Sequence, residues 1–219
     1  MRPPPFNPQN PKQRAYEDLR YRIITHDLKP GEQLIENALM THYAIGRSPL
    51  REVLLDLQRD ALIYRVPRSG TFVSALDVHE VRQALEIRLS LEAFAAKLAA
   101  ERISTTEQAR LKRILQRVEV LRKQEGEDLD ALTHCEFDFH RTVYNATENP
   151  KLSHMLHELH GISARFWHYL MFSRQEILEQ FDDLAAVYRA IEQKDPHRAR
   201  ERMALHIQHT IDKVRGKIV

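Results

Sequence analysis

The stretch ENALMTHYAIGRSPLREVLLDLQRDALIYRVPRSGTFV, residues 36–73, decides how the N-terminal part of this chain folds. Leu50, Val53, Leu54 and Leu57 recur at three- and four-residue spacing and share one helical face. Arg47 and Arg51 stand one turn apart, off that face, and point away from the core together. Ser48 suits the helix cap, and Pro49 suits the first helical position, where no amide hydrogen is needed. A preceding helix, about Glu36–Tyr43, braces it through Ala38, Leu39 and Tyr43. Gly46 supplies the tight bend between the two helices. LIYRV and TFV then read as short strands joined by PRSG, a hairpin or wing with Arg68 and Gly70 at its tip. An apolar-faced helix carrying two arginines near its N-terminus is what reading of the DNA major groove requires. The expected DNA-contacting set is Arg47, Ser48, Pro49 and Arg51, with Asn37 from the preceding helix and Arg68 and Gly70 from the wing.

Outward from this stretch, residues 12–27 form a first helix with Ala15, Leu19 and Ile23 on one face. GEQLI is a short strand that can pair with the wing, and MRPPPFNPQNP reads as a disordered proline-rich arm. ALDVH, residues 75–79, is a short linker without a Gly/Ser tract. Beyond it no strand is legible. Six helices are expected at about 78–101, 105–125, 129–147, 150–172, 174–193 and 196–216. Each break carries a cap or a helix-stopping residue, and Asn149-Pro150 and Asp195-Pro196 are the clearest boundaries. Short loops make this an antiparallel bundle, so the fold class is mostly α with one small β hairpin.

Charge and cysteine content bound the partners. The 219 residues carry a formal charge of only +2, which excludes a broadly basic DNA coat. Residues 1–76 hold 11 Lys/Arg against 8 Asp/Glu, and the remainder 22 against 23, so a mildly basic head precedes a neutral body. The lone Cys135 rules out an intramolecular disulfide framework and fits a reducing cytosol. No apolar run is long enough to span a membrane, and the start lacks a signal-peptide hydrophobic region. The expected location is cytoplasmic, with no membrane partner.

The string GRSPLREVLLDLQRDALIYRVPRSGTFV closely resembles the winged-helix signature of the GntR family of bacterial transcription regulators. Arg47, Ser48, Pro49, Leu50, Arg51 and Glu52 match the opening of that family's recognition helix, and Gly70 matches the glycine closing its wing. LKPGEQL is similar to the family's strand-entry segment, and Gly46 stands where Ser or Thr is usual. VRQALEIRLSLEAFAAKLAAERIS, FDFHRTVYNATENPKL and YRAIEQKDPHRARERMALHI, in that order, resemble the FCD effector domain of the FadR subgroup. With the proline-rich arm over 1–11 read as disordered, the resemblance implies a winged helix-turn-helix DNA-binding domain over 12–75 and a helical effector-binding and dimerisation domain over 76–219.

Ten of the twelve histidines lie after residue 77, which invites a metal reading of the bundle. Glu136 and His140 are four apart on one helical face, and His206 lies near the C-terminus. The resemblance implies that these three hold one divalent cation, with zinc, nickel or manganese all compatible. Glu136 replaces the family's Asp, and Leu184, which cannot coordinate, stands at the position of a further His; Asp183 is a neighbouring substitute. The alternative is a polar effector pocket in which His140 and His206 hydrogen-bond an organic ligand. Arg88 is placed by the resemblance at the effector cavity, where a planar guanidinium clamps a carboxylate. His168 sits at a pocket edge, whereas His154, His157 and His160 read as a solvated stripe beside a core face of Leu152, Leu156 and Leu159.

The resulting expectation is a homodimeric regulator on a palindromic operator, because one recognition helix reads too few bases alone. A small organic acid, probed for by Arg88, His140, His206 and His168, would control it. The competing reading is a helical metal-dependent enzyme using Glu136, His140 and His206. No phosphate-cradling glycine loop or nucleophile elbow supports catalysis.

Overall fold

A computed structural model describes residues 10–124 and 129–218. Among these the order is α1 (Pro11–Ile24), β1 (Gln33–Leu34), α2 (Glu36–Tyr43), α3 (Arg47–Arg59), β2 (Ile63–Val66) and β3 (Gly70–Val73). There follow α4 (Val78–Arg102), α5 (Thr105–Lys123), α6 (Leu129–Asn145), α7 (Pro150–Tyr169), α8 (Arg174–Glu192) and α9 (Pro196–Ile218). The chain is mostly helical, with one three-stranded antiparallel sheet in the order β1-β3-β2. Contacts divide it into two compact units. One runs to Val81 and includes His160–Tyr169; the other comprises Arg82–Leu159 and the chain from Leu170 onward.

In the first unit Ala15, Leu19 and Ile23 of α1 and Leu50, Val53, Leu54 and Leu57 of α3 form the core. The expected arm over 1–11 falls largely outside the described residues. Asn10 already caps α1, its side chain accepting from the Lys12 amide at 3.0 Å, and Pro11 is the first helical residue. α1 ends three residues earlier than its periodicity suggests, because Thr25 closes it and His26 turns to φ 62°. The segment around β1 pairs with the wing as its sequence indicates, Gln33 opposite Phe72, while β2 and β3 register Val66 opposite Gly70.

Two local expectations need correction. The sharp bend between α2 and α3 is made by Ala44, in the left-handed region at φ 51°, with its amide and that of Ile45 closing on Thr41 and Met40 carbonyls. Gly46 has ordinary extended geometry and is the N-cap of α3, with no side-chain cap bond; Ser48 and Pro49 are the second and third helical residues. Pro49 still lies in the first turn, where amides lack intrahelical partners. Ala38 is exposed; Leu39 and Tyr43, one turn apart, are the inward positions of this eight-residue helix.

The end of α7 packs with the first unit through Arg165. Its guanidinium donates to the carbonyl oxygens of Ser74 and Ala75, and its own carbonyl meets His26 Nε2 at 2.8 Å. Gly161 lies against Leu62 and Arg20, where a Cβ would stand 3.6 Å from Leu62 Cδ2.

In the second unit α4, α5, α6, α8 and α9 share an apolar core that includes Leu111, Leu132, Phe139, Phe181, Leu184 and Met203. Capping boxes start α5 (Ser104 with Glu107) and α8 (Ser173 with Glu176), at two of the breaks legible in the sequence. No helix among the described residues is long and apolar enough to cross a membrane.

Candidate functional site

Helix α3 buries Leu50, Val53, Leu54 and Leu57 and thereby fixes which side faces outward. Arg47, Ser48 and Arg51 are exposed on it and Pro49 is half-buried. Asn37 is exposed on α2, and Arg68, at φ 66°, is exposed at the wing tip beside Gly70, at φ 130°. Neighbouring charges are tied up internally: Lys12 Nζ meets Glu52 at 2.6 Å, and Arg65 Nη2 meets Glu36 at 2.6 Å. Arg47, Arg51 and Arg68 make no ion pair or hydrogen bond among the described residues. Three exposed guanidinium groups without an internal counter-ion, on a helix start and a wing, are chemically suited to phosphates and guanine edges.

The second unit holds a buried polar cluster. Glu136, His140 and Tyr144 fall at four-residue spacing on α6 and share a face. Arg88 and Glu92 are one turn apart on α4, and both are almost fully buried. Glu92 Oε1 accepts from Arg88 Nε at 2.9 Å, Arg88 Nη2 at 2.6 Å and the Tyr144 hydroxyl at 2.6 Å. Its other oxygen meets His140 Nδ1 at 3.0 Å. On the far side of the imidazole, His140 Nε2 lies 3.3 Å from Glu136 Oε1. The His206 ring, from α9, is 5.4 Å from that of His140, centre to centre. Asp183 of α8 takes His209 Nδ1 at 2.8 Å and lies 3.9 Å from His206 Nδ1, a buried atom with no hydrogen-bond partner among the described residues.

Burial dominates the electrostatics. Desolvation opposes the Arg88 charge, but Glu92, Tyr144 and Glu136 outweigh it and hold its pKa above the usual value. Burial, then the Glu92 charge, pushes the Tyr144 phenol well up, so it is a donor at neutral pH. Burial, reinforced by His140, lowers His206 to about 3, which leaves its imidazole neutral. Two imidazoles with nearby carboxylates form a nitrogen and oxygen donor set, in which His140 Nε2 and Glu136 Oε1 are the pair in contact. The residues present therefore fit a divalent metal ion.

Arg88, Glu136, His140 and His206, the residues singled out in the sequence, lie in or beside this cluster; Glu92 and Tyr144, which were not singled out, join Arg88 to His140. Leu184 is fully buried in the apolar core, as a residue unable to coordinate should be. The solvated histidine stripe is not observed: His154 is exposed, His157 packs edge-on against Tyr144 at 5.2 Å, and His160 is buried. His168 lies in the part of α7 that belongs to the first unit and is half-buried. Beside Tyr144 a cleft of about 470 Å³ opens between the end of α6 and the start of α7, lined by Asn145, Ser153, His154 and His157 among others.

Comparison with known proteins now bears on this geometry. Residues 11–73 match the model of bacterial regulatory proteins of the gntR family, and residues 83–209 match that of the FCD domain. The HTH-type transcriptional repressor RspR of Escherichia coli K12 is 26% identical over 217 residues, covering 96% of this chain and 92% of that protein. The gluconate operon transcriptional repressor of Bacillus subtilis 168 is 26% identical over 211 residues, covering 93% and 83%. The solved structure of E. coli McbR/YncC superposes with a TM-score of 0.79 at 23% identity, over 96% of this chain and 99% of that one. These relatives are transcriptional regulators, which leaves the enzyme reading without support.

Proposed function

The chain belongs to the GntR family of bacterial regulatory proteins and carries an FCD domain, and from that premise we propose a cytoplasmic homodimer that binds a palindromic operator under the control of a small organic acid. The outward-facing, uncompensated Arg47 and Arg51 at the start of α3 carry the DNA part of this reading. Arg47 and Arg51 contact bases and phosphates, while Ser48, Pro49, Asn37, Arg68 and Gly70 hold register on the backbone. The effector occupies the polar cluster of the second unit, with Arg88 as the fixed positive charge. Glu136, His140 and His206 would hold a divalent cation there, and a cation so held would supply a Lewis-acid anchor for an acid's oxygens. One relative is named for a gluconate operon, and gluconate is an organic acid, which supports that ligand class. Control requires that the ligand favour one of two states of the protein, since equal affinity for both shifts nothing.

Selection from random duplex DNA with the purified protein tests this directly. The wild type should enrich a two-fold repeated half-site, and Arg47→Ala/Arg51→Ala should not. Absence of enrichment by the wild type would end the operator reading.

A further inference from the structure

Glu92, in the second unit, is a carboxylate on which several donors converge. Three donors converge on Oε1, from Arg88 and Tyr144, and His140 Nδ1 takes Oε2. Both oxygens are engaged by side chains of the cluster, and the side chain is wholly buried. It does have an effect on His140. Held by Arg88 and Tyr144, the Glu92 carboxylate is an acceptor facing His140 Nδ1, and the ring's other nitrogen, Nε2, faces away from it. Nε2 lies 3.3 Å from Glu136 Oε1. A carboxylate oxygen and an imidazole nitrogen at this separation are positioned to share a cation. The carboxylate, imidazole and second carboxylate stand in the order found where an outer acidic group fixes the tautomer of a metal-bound histidine.

We propose that Glu92 is a positioning residue for a divalent cation held by Glu136 and His140, a step that rests on the cation reading above. Glu92 does not touch the cation. It orients the His140 ring, selects Nε2 as the coordinating atom, and is itself held by Arg88 and Tyr144. The Arg88–Glu92 pair is then internal machinery of the site, and Arg88 reaches an acid only while remaining bound to Glu92.

The test uses Zn²⁺ and the full-length protein freed of metal with a chelator. Calorimetric titration should give one Zn²⁺ per chain for the wild type and near-complete loss for His140→Ala. Glu92→Gln places an amide NH₂ opposite Nδ1 in one of its two orientations and so opposes the required tautomer. It should bind Zn²⁺ about 10- to 100-fold more weakly, with helix content unchanged. Affinity within twofold of wild type would overturn the positioning role while leaving the cation reading intact. Absence of Zn²⁺ binding by the wild type would overturn both. Should Glu92→Gln fail to fold, ¹⁵N-histidine NMR of the Zn²⁺-loaded wild type decides: His140 should keep its Nδ1 proton and bind through Nε2. Coordination through Nδ1, or an unperturbed His140 resonance, would overturn the proposal.

Discussion

The side-chain amide of Gln33 fills the space into which a Cβ on Gly70 would project, with Gln33 Nε2 2.7 Å from that position. The same amide donates to the Ser69 carbonyl at 2.9 Å, so strand β1 buttresses the wing tip. Gly70→Ala meets two costs: a backbone at φ 130° that L residues avoid, and displacement of Gln33. The second is cheap, because the displaced atom ends a flexible chain. The strain should cost about 1–3 kcal/mol, read as a lowered melting temperature. Adding Gln33→Ala should recover little of it; full recovery would show that the clash, not the backbone, dominates.

Arg51→Ala should weaken operator binding by about 1–3 kcal/mol if the guanidinium is bidentate to a guanine edge. Arg68→Ala should act differently, lowering affinity for all duplexes and reducing the slope of log affinity against log salt by about one. Fluorescence anisotropy at several salt concentrations separates the two. Undiminished affinity in Arg51→Ala would remove it from the base-reading set.

Acid should destabilise the protein through His206. Its pKa is held at about 3 in the fold by burial, against an ordinary value of 6.5 once unfolded. Above pH 6.5 neither state is protonated there, and this group contributes nothing. As pH falls from 6.5 toward 3 the unfolded chain binds a proton that the folded one refuses, so stability declines, at most by about 1.4 kcal/mol per unit. His134, lowered to about 4 mainly by burial, acts in the same direction with a smaller effect, because it is partly open to solvent. Urea midpoints at pH 7.5, 6 and 5 in chelator should fall in that order, and His206→Gln should flatten the trend. A midpoint indifferent to pH contradicts it.

Arg165→Met should strip the Ser74 and Ala75 carbonyls of their buried donor. The loss is about 1–3 kcal/mol of stability for a buried acceptor left unsatisfied. Differential scanning calorimetry should show the deficit, and Arg165→Lys should restore part of it. An unchanged melting profile would mean that water replaces the guanidinium without cost.

The head was legible because its signals are local. The Leu50–Leu57 periodicity, the paired arginines and the turn residues of the wing all act within a few residues of one another. The bend failed for a reason equally local: glycine was sought for a left-handed position that Ala44 fills, held by two carbonyls of α2. Glu92 was missed because a Glu on a helix reads as solvent-facing. The available signal was its four-residue spacing from Arg88, both set among Leu85, Leu89, Leu91 and Ala93. His160 was misjudged by extending a three-residue stripe along α7. The run Gly161–Phe166 is buried on every side, and a helix enclosed all round has no wet face to offer. Its enclosure depends on chain that lies some ninety residues earlier, which no window on the sequence contains.

That enclosure bears on how the DNA-reading part could be isolated. Ten residues from the far end of α7 complete its packing, and Arg165 is among them. A fragment cut after Val81 would be whole by sequence yet discontinuous by architecture, missing a wall supplied in trans to its own segment. Supplying a peptide of residues 160–169 should thicken that fragment's protection against amide exchange around Leu62 and Ser74.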